Sequence, residues 1–441
     1  MAWWRRLLEG RRGDDVRAPS LSHSLRERAP VSPGGRDEGS GGSPGGRDEA
    51  LVAPEGKDSR ARALAAVTRV GRPVWTPRDY ASLAREGFAK NPVAYRCVRL
   101  VAEAAASAPL VVFEGGERAG GEHPLSRLLE RPNPEQGGAD LLEGFYGAVQ
   151  VSGNGYLEAA TGPLPASGRT PPHSGGEPAG VTELYALRPD RMAVVPGARG
   201  WPEAYQYSVD GRTAVIRREA DGWLPVLHLK LFNPSDDWYG ASPLEAAAFA
   251  VDVHNASGAW NKALLDNAAR PSGALVYRPS EVGDRLSDAE FERVKAELSA
   301  GYTGVANAGR PLLLDGGLDF KPIALSPAEM DFIAGKHAAA REIALAFGVP
   351  PQILGIPGDA TYANYREANA ALWRQTIVPL VERTARALTG WLGARFPGCR
   401  VAADWEAVPA LSAEREALWA RLEAASFLTG EERRRMAGVG G

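Results

Sequence analysis

The chain of 441 residues holds only two cysteines, Cys97 and Cys399, far apart and in no metal-ligand spacing. Two such residues do not make a disulfide framework, and a reducing compartment fits them best. The six histidines (His23, His123, His173, His228, His254 and His337) are scattered. His254 and His337 fall on expected long helices, where a packed or solvent-facing role outweighs metal binding. No apolar run reaches the length of a membrane span. An excess of one charge is lacking too, with 51 Lys+Arg against 54 Asp+Glu and a formal net charge of −3. A surface that wraps nucleic acid tightly needs clustered Lys and Arg to neutralise phosphates, and this balance argues against one. Catalytic signatures are missing as well. G-x-x-x-x-G-K-[ST] does not occur, and Gly335-Lys336 sits inside an expected helix without the upstream glycine; H-E-x-x-H and paired C-x-x-C are absent.

What is present is an ordinary globular composition, 44% hydrophobic and 24% charged, with length for two or three domains. The start, Met1-Ala2-Trp3-Trp4-Arg5-Arg6-Leu7-Leu8, lacks a signal peptide's apolar core and cleavage site. It reads as a short tail, with a membrane-surface anchor at Trp3 and Trp4 as the alternative. Residues 10–60 are rich in Gly, Ser, Pro, Arg and Asp, and SPGGRDE occurs at 32–38 and again at 43–49. Such a segment buries too little apolar area to offset chain entropy, so 1–70 is expected to be disordered and to hold no site.

Further along, residues 91–103 predict a helix with Asn91 as N-cap, Pro92 in the first turn and Cys97 on the apolar stripe. Strands are expected at 109–114, 183–187, 193–195, 204–209, 213–216 and 226–230, a meander beside helices, hence an α+β class. A helix of about 27 residues should start at Ser242-Pro243 and stop before Pro271. The mixed segment 272–326 carries a helix from Ser287, whose spacing to Glu290 is that of a capping box. A helix at 327–347, a Gly/Pro loop and a very long helix to 392 follow, the last kinked by Pro379. A strand near 401–405 and helices at 412–425 and 429–437 close the chain. Asp236-Asp237 is a weak candidate for a divalent cation, hence for a carboxylate-dependent hydrolase; a capped turn explains the pair more simply. Tyr362 and Tyr365 have the chemistry to stack or hydrogen-bond, and equally to pack between subunits.

Several pieces share one order with a known family. Asn91-Pro92-Val93-Ala94-Tyr95-Arg96-Cys97-Val98, His123-Pro124-Leu125 with Arg131-Pro132-Asn133-Pro134, and Gly153-Asn154-Gly155-Tyr156 come first. Leu187-Arg188-Pro189-Asp190-Arg191-Met192, Tyr239-Gly240-Ala241-Ser242-Pro243-Leu244 and Gly348-Val349-Pro350-Pro351 are next in line. Then come Leu354-Gly355, Thr361-Tyr362-Ala363-Asn364, and Phe427-Leu428-Thr429 with Glu431-Glu432-Arg433. Together they resemble the portal proteins of long-tailed bacteriophages and gene-transfer agents. Ala363 and Gly430 stand where that family commonly has Ser and Asn.

The resemblance implies a structural protein, not an enzyme, with no cofactor and no metal. Its expected form is a ring of about twelve copies at one capsid vertex, through which a terminase motor packages double-stranded DNA that is later ejected. Implied segments are an α+β wing (71–241), stem helices (242–270 and 327–348), a small α/β clip (271–326) and a tunnel loop (349–364). A long spine helix (365–392) and a C-terminal helical crown (393–441) complete the fold. Implied channel residues are Pro350, Gly358, Asp359, Thr361, Tyr362 and Asn364 on the tunnel loop. Lys336 and Arg341 would face the channel from the second stem helix, or pair with acids of a neighbouring subunit. Arg293, Lys295 and Arg310 on the clip would dock the motor and the head–tail connector. Further implied partners are the terminase large subunit, the major capsid protein and scaffold, and double-stranded DNA passing through the channel without sequence preference; no membrane is implied. The implied location is the portal vertex of the virion, after assembly in the host cytoplasm. By count, 242–269 carries Glu245, Asp252 and Asp266 against Lys262. A mildly acidic lining would repel DNA and keep its passage low in friction.

Overall fold

Asn91 starts the first long helix, α1 (Pro92–Ser107), as its sequence predicts. Its side chain accepts hydrogen bonds from the Val93 and Ala94 N–H groups at 3.0 Å each, satisfying donors that a helix start otherwise leaves open. Cys97 is fully buried on this helix, and burial pushes its thiol up to about 12, which removes it as a nucleophile. The computed structural model describes residues 75–162, 180–198, 200–266, 273–277, 287–302, 318–322, 332–357 and 362–437. The low-complexity tail 1–70 lies outside the described residues, as does most of the Pro/Gly stretch after residue 162.

The chain continues through β1 (Leu110–Glu114), β2 (Glu117–Arg118), α2 (Pro124–Glu130), α3 (Gly138–Ser152), β3 (Asn154–Gly162) and β4 (Gly180–Leu187). Next come β5 (Met192–Pro196), β6 (Pro202–Val209), β7 (Arg212–Arg217) and β8 (Val226–Lys230). Only β5-β6-β7 is the expected meander. β8 instead pairs with β3 on the edge opposite β4, giving the order β4-β3-β8. Helices α1 and α3 pack on each other, and α3 also packs on β3 and β4, with Phe145, Tyr146 and Val149 buried.

The helix expected from Ser242 is present but interrupted at Ala247, as α4 (Pro243–Ala246) and α5 (Ala248–Asp266). Beyond it lie β9 (Gly273–Tyr277), α6 (Asp288–Tyr302), β10 (Leu318–Pro322) and α7 (Phe332–Ala346). The capping box forms: Ser287 N–H meets Glu290 Oε2 at 2.9 Å, and Glu290 N–H meets Ser287 Oγ at 3.4 Å. β9 and β10 pair antiparallel, Gly273 opposite Pro322, so the insert folds back and returns the chain along α5, against which α7 packs. Among the described side chains, burial in this helix pair is confined to the end nearest the body. Ala250, Val251, His254 and Ser257 on α5 are buried, as are Ala340, Ile343 and Ala344 on α7; Phe249, Val253, Ile333 and Leu345 are exposed.

The long helix is α8 (Tyr362–Leu372), a π-helical turn (Trp373–Ile377) and α9 (Val378–Leu392) in direct succession. Just before Pro379, where a kink is expected, the backbone widens locally, with Val378 N–H bonding Trp373 O five residues back. The wider turn relieves the crowding between a proline ring and the carbonyl of the preceding turn. On α9, Leu380, Val381, Thr384, Ala385, Leu388, Trp391 and Leu392 form the buried stripe.

At the end of α9, Trp223 Nε1 donates to Trp391 O and Trp391 Nε1 to Leu224 O, both at 2.9 Å, with the rings stacked 5.9 Å apart. The Arg395 guanidinium lies 4.4 Å from the Trp223 ring and reaches Asp221 at 2.6 Å and Glu219 at 2.8 Å. The strand then expected near 401 is β11 (Cys399–Ala403), paired with β1 in register Val112 to Val401. The span 393–441 is therefore not helical from its start: its first element completes the sheet β11-β1-β2. Helices α10 (Ser412–Ala424) and α11 (Gly430–Ala437) close the described chain.

Candidate functional site

The Gly/Pro loop after α7 is built from two left-handed glycines and two buried plugs. Gly348 (φ +64°) ends the helix, and Val349 N–H returns to Ala344 O at 2.9 Å. Pro350 and the single turn Pro351–Leu354 lead to Gly355 (φ +69°). Only glycine adopts such a φ without strain. Val349 and Ile356 are buried, so the stretch 348–357 is seated on the body and not suspended from it. Thr376 Oγ1, from the π-helical turn, donates to Gly348 O at 2.7 Å. At the other end Arg341 Nη2 donates to Pro357 O.

Of the residues expected at this loop, Pro350 is half-buried at its base and Asn364 is exposed on the first turn of α8. Tyr362 opens α8, while Gly358, Asp359 and Thr361 lie outside the described residues. Arg341 is exposed, yet it reaches the loop carbonyl of its own chain. Lys336 is half-buried against α5, its ammonium 4.0 Å from where Gly258 would carry a Cβ. Burial, then Lys336 and His337, lowers the pKa of His254, which packs at 3.2 Å from Asn91 Nδ2. The acids expected to line this region are partly engaged within the chain. Asp252 accepts from Thr76 N–H at 2.8 Å and from its hydroxyl at 2.5 Å, and Asp266 pairs with Lys262 at 2.5 Å. On the insert, Arg293 and Lys295 are placed on α6, Lys295 3.3 Å from Glu292; Arg310 lies outside the described residues.

Asp236 and Asp237 lie in the capped turn that the sequence offers as the simpler reading. Asp236 Oδ1 accepts from Trp238 N–H at 2.6 Å and Tyr239 N–H at 3.0 Å, an Asx turn, while the Asp237 carbonyl accepts from Lys230. Among the described residues, three metal-competent side chains converge at Glu114, His123 and Cys399. There His123 Nδ1 accepts Leu125 N–H at 3.2 Å as the cap of α2. That assignment puts the ring proton on Nε2, the nitrogen facing Cys399 Sγ at 3.6 Å and Glu114 at 3.8 Å. A protonated nitrogen donates and does not ligate, so His123 Nε2 reads as the donor of a bond to Cys399 Sγ that ties α2 to β11, with Glu114 of β1 beside it.

One junction was not legible in the sequence. The Gly153-Asn154 and Gly240-Ala241-Ser242 segments, both singled out separately, lie against each other. Asn154 Oδ1 accepts Gly240 N–H at 2.7 Å, and Gly153 O accepts Leu231 N–H at 2.8 Å. Ser242 Oγ accepts from Leu244 and Glu245 N–H and donates to Val151 O at 2.7 Å. The N-cap of α4 is thus bonded to the last turn of α3. The only hint in the sequence was a glycine within two residues of a short polar residue in both segments.

His228 completes this junction, its Nε2 2.9 Å from Asn154 Oδ1, its Nδ1 3.3 Å from the Tyr205 hydroxyl and its ring stacked on Tyr156. Burial, then the Lys230 charge, lowers its pKa from 6.5 to about 3. Between those values the unfolded chain binds a proton that the folded chain refuses. The stability from this group is therefore complete above pH 6.5 and lost as pH falls towards 3, with a slope of up to about 1.4 kcal/mol per pH unit. His228→Gln, which keeps a donor for Asn154 but does not titrate, should flatten the acid limb of the urea midpoint against pH. An unchanged limb would assign the loss to other groups.

Among the described residues no helix is long and apolar enough to cross a membrane. A model of the phage portal protein family matches residues 92–438. A protein of Rickettsia bellii is 40% identical over 358 residues, covering 80% of this chain and 88% of that protein. A chain in the neck of an empty GTA particle, computed with C6 symmetry, is 50% identical, with a TM-score of 0.64 over 86% of this chain and 98% of that one. A chain in the neck of the native GTA particle, computed with C12 symmetry, is 48% identical, with a TM-score of 0.61 over 86% and 98%. With the family match running unbroken from α1 to the end of α11, the chain belongs to the phage portal protein family.

Proposed function

We propose that the protein is the subunit of a ring of about twelve copies at one vertex of a phage or gene-transfer-agent capsid, the channel for double-stranded DNA. The observation that carries this reading is the likeness at about half identity, over nearly the whole partner chain, to subunits of GTA particle necks of sixfold and twelvefold symmetry. A closed ring needs two different, complementary faces on each subunit. Exposed apolar residues on both α5 (Phe249, Val253) and α7 (Ile333, Leu345) suit such faces.

In this reading α1 to β8 form the wing, joined by β11. Helices α4, α5 and α7 are the stem, and the insert from β9 to β10 is the clip. The loop after Gly348 is the tunnel loop, α8 and α9 the spine, α10 and α11 the crown. The clip presents Arg293, Lys295 and Arg310 to the terminase motor during packaging and to the head–tail connector afterwards. The wing and crown meet the major capsid protein and scaffold. DNA passes through the channel without sequence-specific contacts, and the chain performs no turnover of its own; ATP hydrolysis belongs to the separate motor.

The test is native mass with ring symmetry from electron micrographs. Twelve copies of the 46.9-kDa chain give about 560 kDa, with a central hole wide enough for a duplex. A monomer or dimer at every salt concentration would overturn the proposal.

A further inference from the structure

We infer that Thr376 is a positioning residue for the tunnel loop, and that Arg341 latches the far end of the same stretch. The loop's role in the channel rests on the reading above; the fixing of its base does not.

The contact is built from both sides. On the helix side, the π-helical turn Trp373–Ile377 inserts an extra residue into the repeat, rotating the phase of α9 by about 100°. Leu372, Trp373, Ile377 and Leu380 all stay buried across that shift, and Thr376, half-exposed between them, presents its hydroxyl to the loop. On the loop side, Gly348 takes a left-handed φ, and a Cβ there would sit 2.6 Å from Thr376 Oγ1. The missing side chain makes room for the hydroxyl that bonds Gly348 O at 2.7 Å. Pro379 therefore has a second consequence: the wide turn that accommodates it also aims Thr376.

At the exit, Arg341 reaches back from α7 to Pro357 O. Between the two bonds Val349 and Ile356 are buried. The stretch 348–357 is thus held at entry, middle and exit. Four residues separate Pro357 from Tyr362, the start of α8.

The test compares Thr376→Val, which keeps shape and loses the donor, with Thr376→Ser, which keeps the donor. Amide hydrogen exchange on the full-length assembled protein reads the loop, and native mass reads the assembly. Thr376→Val should speed exchange at Val349 about fivefold, the loss of one net hydrogen bond, with Ser restoring the wild-type rate and mass unchanged throughout. Arg341→Ala should speed exchange at Ile356 and leave Val349 unchanged. Equal protection in wild type and Thr376→Val, or a Ser variant as exposed as Val, would overturn the role of Thr376. Protection at Ile356 unmoved in Arg341→Ala would overturn the latch. Absence of a ring in the wild type would sink the channel reading alone, since the exchange pattern is readable in a single subunit.

Discussion

Gly240→Ala should leave no folded protein, with a loss of more than about 4 kcal/mol. A Cβ at this position would sit 2.1 Å from Gly153 O and 2.6 Å from Leu231 N, well inside contact distance. Both neighbours are backbone atoms, so no side-chain rotation relieves the overlap. Nor is the backbone at liberty to retreat. Gly153 O already accepts Leu231 N–H at 2.8 Å, and Gly240 N–H is held by Asn154 at 2.7 Å. Separating the segments would leave those buried donors and acceptors unpaired. It would also pull Ser242 from α3 and unseat α4, whose Leu244 is fully buried. The measurement is soluble yield and urea unfolding by circular dichroism at one protein concentration. Gly144→Ala is the control: open space surrounds that position on α3, and exchanging glycine for alanine in a helix gains up to about 1 kcal/mol. A soluble Gly240→Ala protein with an unchanged urea midpoint would mean that the two segments do not touch.

Trp223→Ala should cost about 3–5 kcal/mol, the usual range for removing a large buried aromatic. Three interactions are lost together. The ring stacks on Trp391, its Nε1 caps the Trp391 carbonyl, and its face lies beneath the Arg395 guanidinium. Arg395 is only 4% exposed, while Glu219 and Asp221 are 34% and 49% exposed. The ion pairs are therefore partly screened, and the aromatic contact contributes more than they do. Trp223→Phe should keep most of the stacking and lose about 1 kcal/mol for the hydrogen bond. The check is the urea midpoint of the three proteins. Equal midpoints for wild type and Trp223→Ala would show that the β7–β8 connection is not seated on α9.

What the sequence settled by itself was the local structure. Asn91 before Pro92, Ser242 before Pro243 and Ser287 before Glu290 each announced a helix start, and each side chain makes the bond its type predicts. These signals are readable because a cap is satisfied within three residues of itself, whatever the rest of the chain does. The order of short motifs likewise pointed to the family before any fold was known. The tertiary structure alone decided the rest. The pairing of β11 with β1 joins Val401 to Val112, and the Asn154–Gly240 contact joins two segments 86 residues apart. Such pairings depend on where whole layers pack, and no window of sequence records that. Arg341 and Asp252 show the same limit for charge. The sequence places both on long helices, and only packing gives Pro357 to the one and Thr76 to the other. The π-helical turn before Pro379 is likewise a tertiary matter: a proline removes one donor and crowds one carbonyl, and the widened turn answers that while Leu372, Trp373, Ile377 and Leu380 all stay buried.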